Sequence, residues 1–134
     1  MKQTVRSHCP IAFALDIFGD KWSLLILRDL IFKGKSNYQD FADSEEGIST
    51  NILADRLERL KKEGLICSSP DKENARKITY SPTAKALDLI PMILEIIEWS
   101  AKYDSKTAAP IEFLQMLKKD RKALVKRIRA RFEK

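Results

Sequence analysis

The stretch STNILADRLERLKKEG, Ser49–Gly64, decides the fold. Ser49 is a natural N-cap, because its short hydroxyl can accept a hydrogen bond from one of the unpaired N–H groups of a first helical turn. Behind it Leu53, Leu57 and Leu60 recur at four and three residues, and Gly64 supplies a stop. The pattern predicts one helix over Thr50–Glu63 with a single apolar stripe. On the C-terminal side, Leu65–Ser69 and Lys77–Ser81 read as short strands joined through Pro70-Asp71-Lys72-Glu73-Asn74, a run of turn formers. On the N-terminal side, Tyr38–Ala42 reads as a short helix with Phe41 pointing inward, ending before the loop Glu45-Glu46-Gly47.

Working further outward, Pro10 opens a first helix bearing Ile11, Leu15 and Phe18, which Gly19-Asp20 ends. Trp22, Leu25, Ile26, Leu30 and Ile31 form the apolar face of a second, closed by Gly34. After the hairpin, Thr83, or else Ser81 ahead of Pro82, caps a long fifth helix reaching about Lys102, kinked at Pro91 by the loss of one backbone donor. Apolar residues surround that helix from Leu87 to Trp99, while Asp88, Glu95, Glu98 and Lys102 occupy one narrow face. A helix of this kind must be covered on more than one side, so a second subunit is expected over Ile93, Ile97 and Trp99. Ser105–Ala109 is read as a linker, and Pro110 starts a final amphipathic helix running to Phe132. The fold class is therefore mainly α with a small β-hairpin wing (α+β): a winged helix-turn-helix with long C-terminal dimerisation helices. The expected division is a domain over residues 1–104 and a linker with a basic helix over 105–134.

Charge is unevenly placed. The chain of 134 residues has a formal net charge of +6; residues 115–134 carry +7 and everything before them −1. A basic tail suits phosphate, but it is also an ordinary way to remain in solution. The apolar run Leu87–Trp99 is too short and too charged to span a membrane, and no leader-type segment stands at the N-terminus. Cys9, Cys67 and the lone His8 have no metal-ligand spacing, which implies no metal, no cofactor and a reducing compartment. No nucleophile–base set and no phosphate-cradling glycine loop is present, so catalysis is not expected.

The residues also carry a family resemblance. Cys9-Pro10, Gly19-Asp20-Lys21-Trp22 with Leu24-Leu25-Ile26-Leu27-Arg28, Gly47-Ile48-Ser49 with Leu53, Arg56-Leu57 and Leu60, then Glu63-Gly64-Leu65-Ile66, Tyr80-Ser81-Pro82-Thr83, and Pro91 with Trp99 resemble the HxlR-type (DUF24) winged-helix regulators. The resemblance covers about two-thirds of the chain. It implies a cytoplasmic DNA-binding protein, dimeric through its N-terminal and long C-terminal helices. Asn51, Ala54 and Asp55 stand where such proteins often carry Gln or Lys, and the helix from Pro110 to Phe132 extends past the common core.

In a winged helix-turn-helix the capped helix enters the major groove and the hairpin touches the neighbouring backbone. Thr50 and Asn51 are the candidates for base edges; Ser49, Lys21, Arg56, Arg76 and Lys77 suit phosphates. The expected partners are double-stranded DNA, a second copy of the chain, and a small-molecule or electrophile effector. Cys9 is the redox-sensing candidate. It precedes Pro10 at an expected helix N-terminus, where N–H groups and the helix dipole favour a thiolate, with Arg6 and His8 close in sequence; an incidental thiol is the competing reading. Cys67 is read as a small core residue. The alternative function is a winged-helix protein-interaction module with weak or no specific DNA binding, suggested by Asp71 and Glu73 in the wing and by the added helix.

Overall fold

Helix ends in this protein are fixed by local capping, as a computed structural model describing residues 7–133 shows. Helix α1 (Pro10–Phe18) has Cys9 at its N-cap and Gly19 at its C-cap, with Gly19 N–H donating to Leu15 O at 2.8 Å. A Cβ at Gly19 would lie 2.4 Å from that oxygen, so the turn leaving α1 has room only for glycine. Helix α2 (Ser23–Ile31) follows, then α3 (Tyr38–Ala42), capped by the Asn37 side chain on Asp40 N–H at 3.0 Å. Helix α4 (Thr50–Lys62) is capped by Ser49, whose hydroxyl accepts from Ile52 N–H at 3.3 Å. It ends through Gly64, at φ 76°, where Leu65 N–H returns to Leu60 O at 2.9 Å. That left-handed residue satisfies two trailing carbonyls and turns the chain into the wing.

Strands β1 (Ile66–Pro70) and β2 (Ile78–Pro82) pair antiparallel, Ile66 opposite Pro82 and Pro70 opposite Ile78. They lie one residue later than the sequence reading, because Leu65 is taken by the helix stop. A bridge the sequence did not announce joins Asn37 to Thr79, with Tyr80 N–H donating to Ser36 O at 2.7 Å. The wing is thereby tied to the start of α3. Helix α4 packs on β1 and α3, and α2 packs on β2. Ile26, Leu27, Leu30 and Ile31 of α2, Phe41 of α3 and Leu53, Leu57 and Leu60 of α4 are buried, so each helix sinks its apolar stripe into the core. Trp22 and Tyr80, expected in the core from their spacing, are only half-buried. Cys67 corrects the reading more sharply: it is exposed, because strand alternation turns Ile66 inward and Cys67 out.

Packing divides the chain into two units, Met1–Thr83 and Ala84–Lys134. In the second, the expected long helix is two helices, α5 (Ala84–Leu87) and α6 (Ile90–Tyr103). Pro91 has no N–H for the Leu87 carbonyl, so the chain stops and restarts with proline in the new first turn, where that donor is not needed. The final helix is also two, α7 (Ile111–Lys119) and α8 (Arg121–Ala130), separated by Asp120. Asp120 leaves helical geometry at φ −155°, and its carboxylate accepts from Ala123 N–H at 3.0 Å. A residue that competes for backbone N–H groups in this way caps a new helix instead of continuing the old one. Leu87, Ile90, Ile93, Leu94, Leu117, Leu124 and Ile128 are the larger buried side chains of this unit.

Candidate nucleic-acid interface

Helix α4 buries Leu53, Leu57 and Leu60 and turns Ser49, Thr50, Asn51, Ala54 and Asp55 outward. Its cap fixes the N-terminal turn, so the small polar side chains stand where unpaired N–H groups and the positive helix end already favour an anionic surface. The turn is held from a second side by Tyr38, whose hydroxyl donates to Thr50 O at 2.9 Å. Tyr38 also lines a cleft of about 370 Å³ with Asn37, Gln39, Arg76, Lys77, Ile78 and Tyr80. Tyr38 therefore stands between the start of α4 and the cleft lined by Arg76 and Lys77 of the wing. Tyr38 had no assigned role in the sequence reading; an aromatic residue directly after a capping Asn, within the short helix before α4, was the available signal.

Asp71 of the wing has a local role. Asp71 accepts hydrogen bonds from Glu73 N–H at 3.0 Å, Asn74 N–H at 3.1 Å and the Thr79 hydroxyl at 3.1 Å. The Glu73 N–H, then Thr79 and the Asn74 N–H, hold its carboxyl below the usual carboxylate value. Its charge is spent on closing the turn that carries Arg76 and Lys77.

Arg56 and Lys21 fall in a different group, around Asp20. The Asp20 carboxylate accepts from Trp22 N–H at 2.8 Å, Ser23 N–H at 2.9 Å and the Ser23 hydroxyl at 2.5 Å, and so caps α2. The same carboxylate accepts from Arg56 Nε at 3.0 Å, and Arg56 also pairs with Asp55. Burial opposes the charge on Asp20, but Ser23, the two N–H groups and Arg56 outweigh it, bringing its pKa from 3.8 to about 2. Gly19-Asp20 thus ends one helix, starts the next and fastens both to α4. Lys21 is exposed, with its ammonium 5.0 Å from the centre of the Trp22 ring. A second charged cluster holds the α2 end: Arg28 grips Glu46 through two bonds of 2.7 and 2.9 Å and reaches buried Asp29 at 2.8 Å, with Lys35 at 3.5 Å. Arg28 draws the Glu46 carboxyl from 4.5 to about 2.

Cys9 is exposed at the N-terminus of α1. Its Sγ forms no capping hydrogen bond, yet the N–H groups of Ala12 and Ile11 face it and hold the thiol below its ordinary value. Arg6, the cation expected beside it, lies outside the described residues. Helix α1 has no buried residue, and Ile11, Phe13 and Leu15 are exposed on it. On α6, Ile93 is buried within the chain, Ile97 is half-buried and Trp99 is 67% exposed, its ring tilted against that of Tyr103 at 5.4 Å between ring centres. The exposed large apolar side chains of that helix are Ile96, Trp99 and Tyr103, while Ile93, expected at a subunit interface, is buried within this chain. Among the described residues there is no group of side chains that could hold a metal ion, and no helix is long and apolar enough to cross a membrane.

Comparison with known proteins agrees with this architecture. The description of HxlR-like helix-turn-helix proteins matches residues 17–108. The HTH-type transcriptional regulator sll1512 of Synechocystis is 35% identical over 64% of this chain, which spans 63% of that protein. YdeP of Bacillus subtilis, another HTH-type transcriptional regulator, is 33% identical over 73% of this chain and 76% of its own length. Of solved structures, the transcription factor PA1607 superimposes with a TM-score of 0.69 at 33% identity, over 78% of this chain and 72% of that one. The redox regulator HypR in its oxidized form gives 0.62 at 26% identity, over 70% and 96%.

Proposed function

The chain belongs to the HxlR-like helix-turn-helix family, a family of transcriptional regulators, and from that premise we propose that it binds duplex DNA sequence-specifically as a homodimer. The observation that carries this reading is the N-terminus of α4, where a capped turn exposes Thr50 and Asn51 and is tied through Tyr38 to the cleft holding Arg76 and Lys77. Asn51 can pair bidentately with adenine in the major groove; Thr50 reaches a neighbouring base edge; Ser49, Lys21, Arg76 and Lys77 serve phosphates. Arg56 serves a phosphate only by loosening its pair with Asp20, so its first duty in this scheme is to orient α4. Dimerisation through exposed Ile11, Phe13 and Leu15 on α1 and Ile96, Trp99 and Tyr103 on α6 covers apolar surface that a lone chain would leave to water. Two copies then set the spacing of two reading helices along the duplex.

Control acts on that spacing, through modification of Cys9 or through a small effector. The lowered thiol pKa and the likeness to a redox regulator favour Cys9. The test is an anisotropy titration of the full chain against the region next to its own gene and against random duplex, repeated over a range of salt. A preferred site, bound at least tenfold more tightly than random duplex, is expected. Binding without preference would overturn specific readout and favour the protein-interaction module.

A further inference from the structure

Helices α7 and α8 carry Lys118, Lys119, Lys122, Lys126 and Arg127, and Arg131 directly follows α8; all are exposed and, among the described residues, none is within ion-pair distance of a carboxylate. Arg121 and Arg129 are the paired exceptions: Arg121 holds Glu95 at 3.0 Å and Glu98 at 2.7 Å, and Arg129 holds Asp88 at 3.1 Å and Glu133 at 2.7 Å. An open groove of about 650 Å³ runs beside α8, its floor formed by Pro91, Val125 and Ala130 and its walls carrying Lys122 and Lys126 beside the paired Arg121, Arg129 and Glu133. We propose that α7–α8 is a second surface that engages the phosphates of duplex DNA and supplies most of the attraction that the reading unit lacks. This inference rests on the DNA-binding reading above.

The charge balance points to this assignment. Residues 49–82, which hold the reading helix and wing, carry only +2, and Asp55, Asp20 and Glu46 neutralise the arginines around them. Residues 115–134 carry +7. Affinity for a duplex at ordinary salt comes largely from cations that displace condensed counterions, so the unneutralised ones dominate it. Burial narrows the class of partner. Leu117, Leu124 and Ile128 are buried and the large exposed apolar side chain of these helices is Ile111, at the far end of α7. A membrane-surface helix would instead present its apolar face outward, and a protein-docking helix would carry apolar anchors among its cations. Hydrated point charges without such anchors match a phosphate backbone.

The experiment compares the full-length chain with K122Q/K126Q/R127Q on random 30-base-pair duplex, following the dissociation constant from low to moderate salt. Each phosphate that is no longer neutralised lowers the slope of log K against log salt by about 0.9, so a fall of about 2 to 3 per subunit is expected. K122R/K126R/R127K, which keeps the charge, should restore the slope, and unchanged melting of both variants shows that the helices remain folded. Equal slopes for wild type and K122Q/K126Q/R127Q, with site preference retained, would overturn this inference alone. Wild-type protein that binds no duplex would overturn the DNA-binding reading with it. Slope unchanged together with binding to anionic phospholipid vesicles would replace DNA by a membrane surface.

Discussion

The reading unit and the C-terminal helices use charge in opposite ways. In Met1–Thr83 several charged side chains near α4 are engaged internally: Asp20 with Arg56 and the α2 N-terminus, Arg28 with Glu46 and Asp29, Asp71 with its own turn. In α7–α8 most cations face water with no partner among the described residues. In the scheme proposed here the C-terminal cations supply attraction, and the first unit, where Asp20, Glu46 and Asp71 are spent on internal contacts, supplies the geometry that would select a sequence. Single substitutions can break either side of that contrast.

The largest effect should follow from emptying the seat of α4. Leu53 is fully buried, and Leu53→Ala should cost about 2–5 kcal/mol in urea unfolding, through reduced burial and the cavity left behind. Next comes Asp20→Ala, which removes two backbone caps and the Arg56 partner together and should cost about 1–3 kcal/mol. The pH dependence has a definite sign. The folded pKa of Asp20, about 2, lies below its ordinary 3.8, so the unfolded chain takes up the proton more readily. Its stabilisation is full above about pH 4 and lost as pH falls through 2. Asp20→Asn should flatten that part of the stability curve, and an unflattened curve would place the acid sensitivity elsewhere, Glu46 being the next candidate.

In the C-terminal unit, Asp120→Ala should cost about 1 kcal/mol by removing the cap on Ala123 N–H, with no change in site preference on DNA. A change in preference would mean that the two regions do not divide their tasks as described. The smallest effect concerns the thiols. Both are exposed, so exposure does not separate them; Cys9 should still alkylate faster than Cys67 in the native protein at pH 7, because helix N–H groups favour its thiolate. Equal rates by mass spectrometry of the two peptides would remove Cys9 as a sensor.

Much of this was legible in the sequence, for physical reasons that also explain the rest. Helix α4 announced itself because a cap, an apolar stripe and a glycine stop are all local. The breaks at Pro91 and Asp120 were less visible, since the apolar periodicity continues through both and only a missing or diverted backbone hydrogen bond decides them. Pro91 was read as a kink where it restarts a helix, and Asp120 drew no attention although aspartate is a favoured cap. The Asp20–Arg56 pair joins residues 36 apart, a separation at which no periodicity carries information. Thr50, Asn51, Arg76 and Lys77 were named from chemistry alone, whereas Tyr38, the residue that stands between them, needed the fold. Cys67 was misjudged because a strand's two faces differ by one residue and its start shifted by one.

The central claim is that the turn beginning at Ser49 reads base edges while the remainder of the molecule positions and attracts. It is tested most directly by measuring, at one fixed salt concentration, the ratio of affinities for the preferred site and for random duplex in wild type and Asn51→Ala. The account predicts that the variant melts as the wild type does and binds random duplex equally well, but loses about 1–3 kcal/mol of preference for the site. An unchanged ratio in a folded variant would contradict it.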